Sequence, residues 1–74
     1  MDNKYKVLLN NWVREEKMWL YNEWILNRES GQDLFVYILF NHYSVLKTFR
    51  ELVEWLNDGD DEERLKLKEK YLNG

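Results

Sequence analysis

The chain has 74 residues, 14 acidic and 11 basic side chains for a formal net charge of −3, and no cysteine or proline. At that length a single small domain over 1–74 is expected, burying only about 60% of its unfolded surface. Without cysteine there is no disulfide or thiolate metal site, and the charge balance offers no electrostatic case for a nucleic-acid reader. The opening MDNKYKVLLNNW is too polar for a signal peptide, and no apolar run reaches transmembrane length. A cytoplasmic home with no membrane partner is therefore the expectation. Alanine is missing while Asn, Lys, Glu, Tyr and Leu abound. That argues against an idealised designed bundle and suits an AT-rich genome, such as that of a low-GC bacterium or its phage.

The first predicted element is a helix capped by Asp2 or Asn3 and running to about Arg28. Helical spacing gathers Tyr5, Leu8, Leu9, Trp12, Trp19, Leu20 and Leu26 on one broad face, with Val13 and Trp24 at its edge. Val7, Met18, Tyr21 and Ile25 fall on the other side. Ser30-Gly31-Gln32-Asp33 then closes this helix and opens the next. Gly31 suits a left-handed terminator, and Ser30 with Asp33 resembles a capping box.

The second predicted helix, Asp33 to Asn57, is the one the rest is organised around. Phe35, Ile38, Leu39, Val45, Leu46, Phe49, Leu52, Val53 and Leu56 follow the i, i+3, i+4, i+7 pattern, with His42 inside the stripe. Val36, Tyr37, Phe40 and Tyr43 point elsewhere, and Trp55 continues the Tyr37 side. A strand over Leu34–Phe40 competes, because that run is apolar and rich in aromatic and β-branched residues. The helix is preferred because the later stripe extends back through His42 to Phe35 in phase, with Asn41–Ser44 as a place where a kink could form. After Asn57-Asp58-Gly59-Asp60, a capping pattern at Asp60 and Glu63 starts a short third helix over 60–72, whose only apolar residues are Leu65, Leu67, Tyr71 and Leu72. The competing reading there is a frayed tail. The fold expectation is thus all-α: a long antiparallel helical hairpin plus a short C-terminal helix, a three-helix bundle that dimerises to cover its second apolar side.

Polar residues inside apolar stripes are the first candidate site. Glu16 and Glu23 lie on the line of Tyr5, Trp12 and Trp19, and the hairpin places His42 opposite Trp19, between the two glutamates. A carboxylate–imidazole pair could serve acid–base chemistry or hold a metal. One His and two Glu are too few ligands without a second chain. A polar layer that fixes helix register, or solvated glutamates, are the plainer readings. No catalytic residue, metal or cofactor is therefore assigned. The aromatics are the second candidate: core packing is expected for Trp12 and Trp19, and a protein-binding surface for Trp24, Tyr21, Tyr37, Phe40 and Trp55. The basic set Arg64, Lys66, Lys68 and Lys70 follows a run of acids and reads as a solvated helix face. The expected function is a small non-enzymatic protein-binding module, a regulator or inhibitor of a host protein from a phage or mobile element, partnered by that protein or by a second copy. The alternative is a nucleic-acid-associated hairpin using Arg14, Lys17, Lys47 and Arg50, disfavoured by the net charge.

Overall fold

The computed structural model describes residues 3–27 and 31–73. They form five helices: α1 Asn3–Glu16, α2 Met18–Leu26, α3 Leu34–Asn41, α4 Tyr43–Asn57 and α5 Glu62–Asn73. There is no strand among the described residues, so the apolar run 34–40 is helical.

Each of the two long predicted helices is broken at a single residue. Lys17 has φ −139° and ψ 54°, and His42 has φ −143° and ψ 55°, each ψ roughly 100° from its helical value. The hydrogen bonding is the same at both. The Lys17 N–H still donates to Val13 O (2.8 Å), and the Lys17 carbonyl accepts from Leu20 and Tyr21 (2.9 and 3.2 Å). The His42 N–H donates to Ile38 O (2.8 Å), and its carbonyl accepts from Val45 and Leu46 (2.9 and 3.4 Å). Each break therefore closes one helix and opens the next with little loss of backbone pairing. Just before the second break the Asn41 side-chain amide donates to Tyr37 O (3.0 Å).

At about 100° per residue the buried Leu20 and Trp24 continue the line of Leu9 and Val13, and Leu34 and Ile38 that of Phe49 and Leu56, while other positions leave the stripe. In α1 the buried residues are Leu8, Leu9, Trp12 and Val13, but in α2 they are Leu20 and Trp24. Trp19, seven residues after Trp12 and expected beside it, is instead 56% exposed. In α4 the buried residues are Leu46, Phe49 and Leu56, and in α3 they are Leu34, Tyr37 and Ile38. Phe35 is only partly buried and Leu39 is exposed, which departs from the unbroken stripe. Tyr5 packs edge-on against Phe35 and Phe49 (6.1 and 5.0 Å between centroids), and Trp12 lies 5.3 Å from Phe49.

Gly31 has φ +70°, the left-handed conformation expected of a terminator. Ser30, expected as a cap, lies outside the described residues, as does Arg28. The cap of α3 is Asp33 itself, whose Oδ1 accepts from Val36 N–H (2.8 Å). Lys6 Nζ reaches Asp33 Oδ2 at 3.3 Å, and the Trp24 indole donates to Gln32 O (2.9 Å). The turn is thereby tied to α1 and α2.

α5 is ordered and runs along α1, with a smaller contact on α4. It starts one residue later than the Asp60–Glu63 pattern implies: Asp61 O accepts from Leu65 N–H (3.0 Å), and the Asp61 carboxylate pairs with Arg64. Tyr71 anchors it, 4% exposed, with its O–H donating to Glu16 Oε1 (3.0 Å) and its carbonyl accepting from the Asn11 side chain. The accessible surface is 5166 Å², close to the roughly 4,900 Å² of an ordinary monomer of this mass.

Candidate functional site

Of the three polar residues picked out by their position in the stripes, two meet. His42 Nε2 lies 2.5 Å from Glu23 Oε2, and the Tyr37 O–H donates to the same oxygen at 2.7 Å. The break at His42 brings this about, because it ends α3 after Tyr37 has turned toward α2 and leaves the imidazole beside Glu23. The Trp19 ring packs edge-on against the imidazole, 5.5 Å between centroids. Glu16 does not join them. It faces α5, where it accepts from Tyr71 and lies 3.7 Å from Lys70 Nζ.

The hydrogen bonds from His42 and then from Tyr37 hold the Glu23 carboxyl below the usual carboxylate range, against a smaller opposing desolvation. The bond to Glu23 in turn raises the Tyr37 phenol. An ionised carboxylate only accepts, so both the phenol O–H and the imidazole Nε2–H donate to Glu23. A neutral His42 then carries its lone pair on Nδ1. The side chains of His42 and Glu23 are 25% and 38% exposed, so the cluster sits at the edge of the core rather than within it. No polar or charged side chain is buried among the described residues.

Chemically, the cluster orients one imidazole. It brings no thiol, since the chain has no cysteine. No three His, Cys, Asp or Glu side chains converge as a metal site among the described residues. What the cluster does physically is join α2 to the α3–α4 junction at one point.

The aromatic residues are distributed differently from the sequence expectation. Trp24 and Tyr37, expected at a binding surface, are 9% and 8% exposed. Tyr21 packs partly buried against the same core and lies edge-on to Trp24 at 5.5 Å. Trp55 is 36% exposed, with the Arg64 guanidinium 4.4 Å above its ring. Phe40 alone of the expected set stands well clear, at 74%. In exchange, Met18, Trp19 and Tyr43 are exposed at 58%, 56% and 52%. Seven of the ten large exposed hydrophobics among the described residues lie between Met18 and Tyr43, so the apolar surface is concentrated on α2, α3 and the two breaks. The exposure of Trp19 carried no sequence signal short of the break itself, because Lys17 is an ordinary helix former.

The chain has no significant match among protein-family models, curated proteins or solved structures.

Proposed function

We propose that this chain is a non-enzymatic protein-binding module whose contact surface is built on the two breaks, with Trp19, Phe40 and Tyr43 at its centre. The observation that carries this reading is the exposure of those three aromatics beside an imidazole held in place by Glu23. Trp19 touches His42, and Phe40 and Tyr43 flank His42 in sequence. At roughly 200 Å² per ring they expose on the order of 350 Å² of largely apolar surface, a size typical of a functional patch on a small protein. Aromatic side chains on a rigid base lose little entropy on binding, which is why they dominate contact hot spots. Trp24 and Tyr37 support that base from inside, a different role from the one expected of them.

A small regulator or inhibitor of a larger protein is the role that suits this size and surface. Absent such a target, the same surface pairs with a second copy about a twofold axis. Trp24, 9% exposed, offers little to such a contact, and the Trp55 ring lies under the Arg64 guanidinium. The nucleic-acid alternative has less support: Arg14 donates to Asn11 at 2.8 Å and Lys17 Nζ sits 5.7 Å from the Trp12 ring.

Sedimentation equilibrium at micromolar concentration tests the reading, with Phe40→Asp and Trp19→Ser as comparisons. Self-association that either substitution abolishes, with helicity unchanged, supports this surface. Association that survives both substitutions assigns the contact elsewhere.

A further inference from the structure

A second feature, built by different helices, remains after the α2–α3 surface is accounted for. Between α1, α4 and α5 there is a cleft of about 300 Å³, lined by Tyr5, Leu8, Val53, Leu56 and Leu72, with Lys4, Asn57 and Lys68 also on its wall. Close-packed domains leave few voids larger than a water molecule, and this volume reaches the lower end of the range that holds small ligands.

We infer that this cleft is a binding site for a small amphipathic anion, a medium-chain or aryl carboxylate, with the apolar part between Leu8, Val53 and Leu72 and the carboxylate at Lys68. Two properties of the wall select that chemistry. Its apolar floor is firm: Leu56 and Leu8 are 1% and 8% exposed, and the Tyr5 ring is braced by Phe35 and Phe49. Among the described residues the charged side chains on the wall are both lysines and none is a carboxylate, although acids outnumber bases in the chain 14 to 11. The local sign is thus opposite to the net charge, and an anion is favoured over a cation or a zwitterion. An ammonium at the edge of an apolar cavity gives a carboxylate a charge-assisted contact while the tail leaves water.

Isothermal titration of the intact chain with decanoate, decyltrimethylammonium and decanol, all below micelle formation, tests this. Saturable one-to-one binding is expected for decanoate, with decanol weaker and the cation not binding. Lys68→Glu, which reverses the charge at the half-buried wall position, is expected to weaken decanoate at least about fivefold, and Val53→Phe, which fills the cleft, to abolish it with helicity retained. Anionic vesicles separate a free carboxylate from a membrane surface: flotation of the chain with them, without titration of free decanoate, overturns the inference. So does equal affinity for the anion and the cation, or decanoate binding untouched by both substitutions.

Discussion

Lys17 and His42 hold the same backbone conformation, within 4° in φ and 1° in ψ, one between α1 and α2 and the other between α3 and α4. Neither is glycine or proline, and neither has positive φ; both lie between the helical and extended regions. Around the two breaks Trp24 and Tyr37 are buried while Trp19, Phe40 and Tyr43 are exposed.

The exchange between Trp19 and Trp24 gives the sharpest stability contrast. Trp24→Ala removes a ring that is 9% exposed and hydrogen-bonded to Gln32 O, and a loss of about 3–5 kcal/mol is expected. Trp19→Ala removes a ring that is 56% exposed, and the expected loss is about 1 kcal/mol or less. Urea denaturation of both variants measures the difference. Equal losses for the two variants would contradict this assignment.

Gly31 is expected to be intolerant of branched residues through backbone strain alone. A Cβ built there meets nothing within 4 Å, so steric crowding does not contribute. At φ +70° Gly31→Val should cost about 1–2 kcal/mol, and Gly31→Asn much less. Equal denaturation midpoints for the two variants would contradict this account of the turn.

Much of the architecture was legible before the structure. Helical periodicity carried the all-α class, the Gly31 turn and the third helix, and the antiparallel register alone brought His42 opposite Trp19. The phase of α2 and α3 was not legible. Trp12 and Trp19 are seven apart, as are Phe35 and His42, and an unbroken helix puts each pair on one stripe. The backbone at Lys17 departs from helix with no residue type there that announces it, and Trp19 just beyond it is exposed. Asn41 and Ser44 hinted at the second break through their side chains, and Asn41 does bond back to Tyr37 O. Asp33 was read as the second half of a capping box and is itself the cap.

Acid should weaken the fold through Glu23. Its folded pKa lies below the ordinary 4.5 because of His42 and Tyr37. The stabilisation is therefore complete above pH 4.5 and is lost as pH falls through the lower folded value. Asp33, held down chiefly by the Val36 N–H, behaves likewise below its ordinary 3.8. Glu23→Gln should flatten the acid limb of stability against pH, and Asp33→Ala should cost about 0.5–2 kcal/mol near neutrality. Urea midpoints across the acid range check both.

Base should act through Tyr71. Burial first, and the Glu16 hydrogen bond second, push its pKa from 10.0 to about 12. A raised pKa means that the contribution is fully present below pH 10 and is lost as pH rises toward about 12, as the free phenol ionises first in the unfolded chain. Tyr71→Phe keeps the ring against α1, costs about 1 kcal/mol at neutral pH, and should remove this alkaline loss. An unchanged alkaline limb in Tyr71→Phe would place the sensitivity in another group.

The central claim is that the breaks at Lys17 and His42 put Trp19 outside, at the contact surface, and Trp24 inside. Iodide quenching of two single-tryptophan proteins, each with the other three tryptophans replaced by phenylalanine and its helicity verified, tests it most directly. The protein retaining only Trp19 should be quenched nearly as strongly as a free indole at monomeric dilution, and less at concentrations where the chain self-associates. The one retaining only Trp24 should be protected at every concentration. Protection of Trp19 at monomeric dilution together with ready quenching of Trp24 would contradict the account.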